Sequence, residues 1–391
     1  MKIIYSMPAI LLCGGAVHHF SVIRRLVERG HEIEVFAPLV KDLDLLPSLP
    51  KSVPLRTHPR VQSNLYTLPS ETRPLEFFRA FWDLTYGLRS MASDFPSDAD
   101  AVLATFYPNA FAADLYRRRS GSQRAVLLAV HDDPRVFLPI SYRSRYSWIW
   151  AGAPRCADRL LTISKALESR LIERYKKPVT IVGNGIDDAL LAAPPGREKR
   201  ASEILDTGGR PYLLYVGSMN YHKGIDVLVE AFAEVRKKQA DLLLALVGHC
   251  PHPAFLKDLQ QRFRVEEHVR HVPGVDRTTL RHLYDSAACF AFPSRTEGFG
   301  LPPLEAMARG RPVVCTPCPG VLEYALDGEN CLFVAPDRAD RLAEAVRRVL
   351  EDADLAARLG QAGRIVAKDF TWDRVAARTE QAVESCLDLS A

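Results

Sequence analysis

Several features that would fix a function class at once are missing from this sequence. No run of about 18 apolar residues occurs, so no helix is expected to cross a bilayer. Neither the P-loop pattern G-x-x-x-x-G-K-[ST] nor the nucleophile pattern G-x-S-x-G is found, which argues against a P-loop nucleotidase and an α/β-hydrolase. Low-complexity tracts and short-period repeats are absent as well, and this excludes a fibrous protein.

Cysteine is sparse and scattered, with eight residues in a chain of 391. A disulfide-stapled secreted domain would concentrate them, so we expect a reducing compartment and a cytoplasmic protein. The apolar start of the chain is interrupted at Pro8, which favours a first strand and its loop over a signal peptide. Apolar residues make up 47% and charged residues 25% of the chain, ordinary values that exclude wholesale disorder.

What the chain does contain is a strand–turn–helix–strand pattern that begins twice. The first copy runs from a strand at 2–6 through Gly14-Gly15 into an amphipathic helix. The second runs from a strand at 212–216 through Gly217 into a helix that begins at Gly224. Continuous apolar strands that alternate with helices indicate parallel sheets covered on both faces. The pattern therefore predicts an α/β protein with two Rossmann-like domains.

Other elements follow the same alternation. A helix is predicted near 75–92, and the proline-containing, charged stretch 192–210 is typical of a linker. Further strands are predicted at 32–36, 101–105, 125–130, 159–163, 180–182, 242–247, 289–292, 312–315 and 331–334.

The segment Phe292–Gly310 carries the most chemical information. Its strand ends at a glycine-rich turn, and Pro302-Pro303 opens a helix. Turn amides beside a helix N-terminus favour an anion or hydroxyl ligand, and Glu297 and Glu305 place a carboxylate on either side. Carboxylates suit sugar hydroxyls and amides suit phosphate, so the pattern predicts a nucleotide-sugar site. The alternative is one solvated glutamate and one favoured by the helix dipole.

The stretch Glu297–Glu305, with a carboxylate at each end and Gly-Phe-Gly between them, resembles glycosyltransferase family 4 and its mannosyltransferase-like members of the GT-B fold. The resemblance covers most of the chain and is strongest over 212–372. It implies that Glu305 binds the donor ribose and that Glu297 contacts the donor sugar near its anomeric carbon. It further assigns sugar hydroxyls, diphosphate and base to backbone groups at Gly298, Phe299, Gly300, Leu301 and Val275.

The resemblance also implies a domain organisation. Two Rossmann-like domains would present their parallel sheets to an interdomain cleft. We expect an N-terminal acceptor-binding domain over 1–195 and a C-terminal nucleotide-sugar-binding domain over 196–370. A last helix within 371–391 would cross back and pack on the N-domain.

A second candidate donor site follows the first strand of the second copy. Gly217 allows a ligand close to the backbone, and Lys223 offers a mobile cation for a diphosphate; a solvated lysine before a helix is the alternative. In the resembled family an arginine often follows this glycine, and Ser218 stands there instead. One positive charge is therefore missing, and His222 and Arg295 are the candidates to replace it.

The remaining candidates lie in the N-terminal half. His131 follows a predicted strand, where the family carries a histidine that contacts the donor sugar; a structural histidine is the alternative. Asp132 is expected to orient that imidazole or an acceptor hydroxyl. Gly14 and Gly15 resemble the family's glycine-rich loop, which implies acceptor contact at Gly14 and donor phosphate at Gly15. The family's usual acidic residue after this loop is replaced around Val17-His18, and His18 is assigned to the acceptor.

Patterns that would indicate a metal are weak. Cys315-Thr-Pro-Cys318 has redox spacing but no partner pair for zinc. His249-Cys-Pro-His252 sits in a proline-rich loop, and the Asp-x-Asp strings at 42–44 and 98–100 do not follow a nucleotide-binding strand. The glycine turn at 298–303 also lacks the third glycine of a dinucleotide fingerprint. We therefore expect neither metal nor cofactor, with the nucleotide sugar as co-substrate.

The basic residues point to an anionic or lipid-linked partner. Residues 1–200 carry 28 Lys/Arg and 20 Asp/Glu, whereas the chain as a whole has a net charge of only +4. The segment 141–150 concentrates two tryptophans and two arginines, a composition typical of a membrane interface. Aromatic rings packed in the core with arginines reaching out fit it equally well. We predict a glycan or lipid-linked acceptor and peripheral contact of the N-domain with an anionic membrane, and no nucleic acid.

The sequence thus predicts a retaining, metal-independent hexosyltransferase. It would move a sugar from GDP-mannose or a UDP-sugar to a hydroxyl acceptor, in cell-surface glycan, glycolipid or exopolysaccharide synthesis. A nucleotide-sugar epimerase of the same fold is one alternative, and it would release an isomerised donor without any acceptor. A catalytically inactive basic binding protein is the other, although it would have no use for Glu297, Glu305 and Lys223 together.

Overall fold

A computed structural model of the chain describes residues 1–8, 10, 14–40, 49–57, 79, 82, 86–87, 89–90, 92–120, 124–131, 147–192 and 200–388. The chain divides into two compact units. Unit 1 comprises Met1–Gly185 together with Trp372–Ala391, and unit 2 comprises Ile186–Thr371.

Each unit is built on one parallel sheet, as the alternation of apolar strands and helices predicts. The strands of unit 1 are β1 Lys2–Ser6, β2 Glu32–Phe36, β3 Leu55–Arg56, β4 Ala101–Ala104, β5 Ala125–Val130, β6 Arg159–Thr162 and β7 Val179–Ile181. Those of unit 2 are β8 Tyr212–Val216, β9 Leu243–Val247, β10 Val269–Val272, β11 Cys289–Phe292, β12 Val313–Cys315 and β13 Leu332–Phe333. Over the described residues the sheet orders are β3-β2-β1-β4-β5-β6-β7 and β10-β9-β8-β11-β12-β13.

Helices connect the strands and cover the sheets. In chain order they are α1 Gly14–Glu28, α2 Tyr107–Ser120, α3 Ser147–Cys156, α4 Lys165–Tyr175, α5 Asp188–Leu191, α6 Arg200–Leu205, α7 Ile225–Arg236, α8 Pro253–Phe263, α9 Arg277–Ser286, α10 Leu301–Ala308, α11 Ala339–Glu351, α12 Ala353–Ala367 and α13 Trp372–Asp388. Short 3₁₀ turns occupy Tyr221–Lys223, Glu266–His268 and Val321–Glu323. None of the described helices combines the length and the apolar character needed to cross a bilayer.

The pleat of β1 shows how the sheet of unit 1 is buried on both faces. Ile3 points into a core cluster that also holds Phe20 of α1 and Val383 of α13. The next residue, Ile4, points into the opposite cluster with Tyr116 of α2. Successive side chains of a strand alternate between faces, so apolar residues at every position require a covered sheet on both sides. The C-terminal helix α13 is part of this cover.

The division between the units falls after Gly185, whereas the sequence places it after 195. The residues that follow Gly185 are tied to unit 2 by the buried guanidinium of Arg309. It donates to the carbonyl oxygens of Leu190 and Ala192 at 2.7 and 2.6 Å and pairs with Asp285 at 2.7 Å. These ties hold α5 against unit 2, so the chain crosses before the proline-rich stretch.

Some predicted segments fall outside the described residues. These are most of the helix predicted at 75–92, the stretch 193–199 of the predicted linker, and 141–146 of the predicted membrane segment. Strands β3 and β10 are not among the predicted ones, and both lie at a sheet edge. The seven cysteines within the described residues are free thiols.

Candidate active site

In unit 2 the loops at the carboxyl ends of β8 and β11 bring Lys223 and Glu297 together. The Lys223 Nζ donates to both carboxylate oxygens of Glu297, at 2.7 and 2.8 Å. The side chains are 21% and 9% exposed, respectively. A cation and an anion from loops 74 residues apart are thus held in one partly buried pair. This is the edge of a parallel sheet at which ligands bind.

Glu305 lies in α10 and is buried, with both carboxylate oxygens engaged. Arg277 Nη1 donates to Oε1 at 3.1 Å, and the Tyr284 hydroxyl donates to Oε2 at 2.9 Å. Burial and the adjacent carboxylate raise the pKa of Tyr284 well above its usual value, so the hydroxyl stays a donor. Each carboxylate oxygen has two acceptor positions. Counting the donors in the described part of the chain, one position stays open on each oxygen, which matches a pair of neighbouring hydroxyls.

The turn after β8 is shaped for close approach of a ligand to the backbone. Gly217 has a φ of +147°, and Gly248, at the end of β9, packs so tightly on it that an added Cβ would lie 2.3 Å from the Gly217 carbonyl oxygen. The Ser218 hydroxyl accepts from Asn220 Nδ2 at 2.9 Å, and its carbonyl accepts from the Tyr215 hydroxyl at 2.9 Å. Side chains therefore fix this turn.

The turn that leads into α10 is held as firmly. Gly300 has a φ of +81° and its carbonyl accepts a hydrogen bond from the Tyr324 hydroxyl. Gly320 packs against the turn, and an added Cβ there would lie 2.4 Å from the Phe299 nitrogen. Because Pro302 and Pro303 have no N–H, the donors available at this helix start come from Leu301 and the residues before it.

Neither side chain considered as a replacement for the missing cation is available. The Arg295 guanidinium is paired with Asp226 at 2.8 Å and with Asp337 at 2.6 Å, and it stacks on the Tyr221 ring. Its charge is therefore compensated. Burial and the neighbouring Lys223 lower the pKa of His222, so that imidazole is neutral at pH 7.

Val275 follows β10 and precedes α9, and it is half-buried. Asp276 caps α9 by accepting from the Thr279 N–H at 2.9 Å. Since Arg277 of the same helix binds Glu305, the segment after β10 and the helix α10 belong to one site in unit 2.

In unit 1 the structure places His131 against two histidines of α1. The ring centroids of His131 and His18 are 4.3 Å apart, and those of His131 and His19 are 4.7 Å apart and nearly parallel. His18 Nδ1 lies 3.1 Å from Asn184 Oδ1. Burial and then the charge of His18 lower the pKa of His131 well below its usual value. Asp132, the predicted partner of His131, lies outside the described residues.

Gly14 and Gly15 are the first two residues of α1 rather than part of a loop. Gly14 is exposed, and an added Cβ would meet nothing within 4 Å. His18, assigned to the acceptor, is only 3% exposed. Access to it is therefore limited in this conformation.

Sequence reasoning missed Arg277, Tyr284 and His19. Arg277 and Tyr284 precede Glu305 by 28 and 21 residues, and only the tertiary position of α9 relative to α10 brings them near it, since β9 and β8 lie between β10 and β11 in the sheet. His19 carries a weak signal, since it is one of two adjacent histidines that follow the first glycine pair after Ala16 and Val17.

Two family profiles match the chain side by side. The family described as "Glycosyltransferase Family 4" matches residues 13–190, and the one described as "Glycosyl transferases group 1" matches residues 197–366. Between them they account for most of both units.

Individual proteins agree with the profiles. A GDP-mannose-dependent alpha-(1-6)-phosphatidylinositol monomannoside mannosyltransferase from Mycolicibacterium smegmatis is 32% identical over 232 residues, covering 57% of this chain and 61% of the relative. A sucrose-phosphate synthase from Thermosynechococcus elongatus has a TM-score of 0.79 at 20% identity, with both chains fully covered. The HepE protein of Anabaena, in complex with UDP and glucose, has a TM-score of 0.75 at 19% identity, covering 98% of this chain and 100% of that one.

This chain matches only part of each of these curated relatives. The chain spans about half the length of the first of them, 54% and 49% in two cases. The structural matches confirm the predicted fold class, GT-B with two parallel α/β units. With the two profiles, they place this chain among the group 1 and family 4 glycosyltransferases.

Proposed function

We propose that this protein is a hexosyltransferase that takes its sugar from a nucleoside diphosphate donor and passes it to a hydroxyl acceptor. The observation that carries the proposal is the arrangement in unit 2. There a lysine–glutamate pair, two fixed glycine turns and a buried glutamate with free acceptor positions occupy the carboxyl edge of one sheet. Family membership supports the same reading.

The donor diphosphate binds at Lys223 and the turn amides. Lys223 supplies an ammonium, while Gly300, Leu301 and their neighbours supply N–H donors at the start of α10, where the helix dipole favours negative charge. Charge develops on the diphosphate as the glycosidic bond breaks. Donors already fixed in place stabilise that charge without reorganising, which is the main contribution that this site makes to the rate.

The two carboxylates have different tasks. Glu305 accepts from the ribose hydroxyls through the acceptor positions that Arg277 and Tyr284 leave open. Glu297 contacts the transferred sugar, where its negative charge stabilises the positive charge that develops at the anomeric carbon. Before the donor binds, Lys223 keeps Glu297 in position.

The finer parts of the proposal rest on the resemblance. Transfer proceeds with retention and without a metal in the transfer step. The donor is GDP-mannose or a UDP-sugar, in line with the donor named for the mycobacterial relative and with UDP bound to HepE. His131 of unit 1 is assigned to the transferred sugar. The acceptor is a glycan or lipid-linked hydroxyl, and the protein works at the cytoplasmic face of an anionic membrane.

A thermal-shift screen against GDP, UDP, ADP and their sugars tests donor binding. A ligand that binds only the folded state adds about 2.7 kcal/mol to the free energy of unfolding at 100 times its Kd, by mass action. We expect the nucleoside diphosphate and the nucleotide sugar of one of the three bases to raise the melting temperature. If none of the three bases does so, the proposal is wrong.

The variant Glu305→Ala tests whether the ligand-induced rise in melting temperature comes from binding at this site. The variant should fold, because Asp187 remains 3.6 Å from the Arg277 guanidinium, but it should lose the ligand-induced shift. Glu329→Ala, which changes an exposed glutamate of the same unit, is the matched control and should keep it. A shift that survives Glu305→Ala would place the donor elsewhere.

Product analysis separates transfer from epimerisation. With donor alone, a transferase releases free sugar slowly, and NMR of the first sugar formed reports its anomeric configuration. An α-linked donor that yields the α-anomer first supports retention. Conversion of the donor into an isomeric nucleotide sugar, with no free sugar formed, would favour the epimerase.

A further inference from the structure

The three histidines of unit 1 form a group that the proposed transfer reaction does not require as a group. His18 and His19 are buried in α1, and His131 follows β5. One nitrogen from each lies within 4.8 Å of the other two. Among the described residues, no other group of histidine, cysteine and carboxylate side chains brings three possible ligand atoms this close together.

Asn184 fixes the tautomer of His18. The Asn184 Oδ1 accepts from the Gly185 N–H at 3.1 Å, and a backbone N–H can only donate, so the atom facing it is the oxygen. His18 Nδ1 lies 3.1 Å from the same oxygen and must carry the proton. The lone pair of His18 is therefore on Nε2. Histidines that bind a metal usually donate the N–H of their other ring nitrogen to an oxygen in this way.

His131 supplies an independent sign of a missing ligand. Its Nε2 is shielded from solvent and has no hydrogen-bond partner among the residues that the structure describes. A buried polar atom left unpaired costs about 1–3 kcal/mol, so such atoms are rare without a function. The His19 ring is stacked face to face on His131 at an interplanar angle of 17°, so one of the two rings has to turn before both can point a nitrogen at the same ion.

We propose that His18, His19 and His131 bind one divalent transition-metal ion of the zinc class. Imidazole nitrogen is a good ligand for Zn²⁺, Co²⁺, Ni²⁺ and Cu²⁺ and a poor one for Mg²⁺ and Ca²⁺. A tetrahedral zinc ion with bonds of about 2.0–2.1 Å sets its ligand nitrogens roughly 3.4 Å apart. The nitrogens lie within 4.8 Å of one another, and they reach that spacing when His19 or His131 rotates out of the ring stack. The fourth position is left for water or another ligand.

The consequence for activity rests on the proposed function. An ion held by His131 removes that side chain from the transferred sugar, so zinc inhibits the transferase instead of supporting it. The binding claim is independent of this, because it is measured on the protein without any donor.

A titration of the full chain, first stripped with a chelator, with Co²⁺ tests the site. Cobalt bound by nitrogen in a four-coordinate site gives intense visible absorption, and a thiolate ligand adds sulfur-to-cobalt bands in the near ultraviolet. We expect one equivalent of the visible bands without the sulfur bands, and displacement of the cobalt by Zn²⁺. Sulfur bands, or no visible bands, would overturn the proposal.

His19→Phe removes one ligand nitrogen and keeps a flat ring against His131. We expect it to weaken zinc binding by more than the about 10–100-fold that loss of an outer-shell partner causes. His252→Ala is the matched control, since His252 belongs to the other histidine pair in the sequence, and it should bind zinc like the parent protein. If His252→Ala loses the zinc and His19→Phe keeps it, the site lies in the 249–252 loop and the proposal is wrong.

The role of Asn184 gives a second measurement. Asn184→Ala removes the acceptor that sets the His18 tautomer and should weaken zinc binding about 10–100-fold. Asn184→Asp keeps acceptor atoms for both the His18 Nδ1–H and the Gly185 N–H, and it should restore the affinity. Equal affinity in Asn184→Ala and the parent would show that His18 is not a ligand in this tautomer.

The outcomes separate the two proposals. Cobalt and zinc binding without any effect on transfer leaves the site intact and removes His131 from the reaction. Transferase activity without metal binding leaves the proposed function intact and ends this inference.

Discussion

At the level of single residues, the Lys223–Glu297 pair is held by loops that are distant in sequence and is largely shielded from water. Removing one partner of a fully buried ion pair costs about 3–5 kcal/mol, because the other charge stays behind unpaired. Lys223 keeps about a fifth of its side chain exposed, which reduces the cost. The pair therefore contributes more to the order of the site than to overall stability.

We predict that Lys223→Met and Glu297→Gln each lower the free energy of unfolding by about 1–3 kcal/mol. The double variant should lose less than the sum of the two, since it leaves no charge unpaired. Urea unfolding of all four proteins measures this coupling. Strictly additive losses would mean that the two side chains do not hold each other in solution.

Gly224, directly after Lys223, gives a second residue-scale prediction. Its φ of +70° equals that of Gly328, but an added Cβ would lie 2.0 Å from the Pro293 carbonyl oxygen at Gly224 and meet nothing within 4 Å at Gly328. Gly328→Ala should cost about 1–2 kcal/mol, the penalty of a left-handed conformation. Gly224→Ala should cost about 1–3 kcal/mol more from overpacking. Equal losses in thermal unfolding would contradict the close approach of Pro293.

Some of the site was predictable residue by residue and some was not. Lys223, Glu297 and Glu305 follow predicted strands, and the edge of a parallel sheet collects such residues, so position in the sequence was enough to group them. Arg277 and Tyr284 lie on a helix that carries no motif of its own. Their hydrogen bonds to Glu305 depend on the packing of α9 beside α10, which local sequence does not specify.

At the scale of elements, the two strands that the sequence did not predict are little-buried edge strands, although the edge strand β7, which has no buried residue, was predicted. β5 reads Ala-Val-Leu-Leu-Ala-Val and is buried at every position, so a continuous apolar run identified it. The edge strand β10 reads Val-Arg-His-Val, is buried only at its first residue and has no such run. β3 has two residues, too few for any period. Edge strands are stabilised by one neighbour alone, and their sequences are correspondingly less constrained.

Helix α1 leads to a prediction about pH. Burial lowers the pKa of His18 to about 4, although its bond to Asn184 opposes the shift, and burial also lowers the pKa of His19 well below its usual value. The unfolded chain therefore binds more protons than the folded one between about pH 6.5 and 4, so stability falls as the pH decreases through that range. Each buried histidine contributes up to about 1.4 kcal/mol per pH unit.

Melting temperatures at pH 7.5 and pH 5 check this expectation. The drop between the two should be smaller in His19→Phe than in the parent protein, because one neutral imidazole no longer has to stay unprotonated. The control, His252→Ala, changes an exposed histidine and should leave the drop unchanged. An equal drop in all three proteins would mean that α1 is not the element that responds to acid.

For the whole molecule, the sequence indicated two α/β units, but it misplaced the point at which the chain passes between them. The strand–helix pattern is repeated along the chain, so errors in single predicted elements do not hide the two units. The crossing point depends on a few tertiary bonds, here those of Arg309 to the carbonyl oxygens of α5 and the residue after it. The proline-rich composition at 194–196 suggested a linker there. Tertiary hydrogen bonds such as those of Arg309 cannot be predicted from local composition.

Two units with separate cores should respond separately to their own ligands. Hydrogen exchange measured by mass spectrometry reports this peptide by peptide, since a ligand slows exchange where it stabilises local structure. The nucleoside diphosphate identified by thermal shift should protect peptides around Gly217, Lys223 and α10 of unit 2, whereas Zn²⁺ should protect peptides that contain α1 and His131 of unit 1. Glu305→Ala should abolish only the first pattern and His19→Phe only the second. If either variant removes both patterns, the two sites are coupled, and the assignment of one ligand to each unit is wrong.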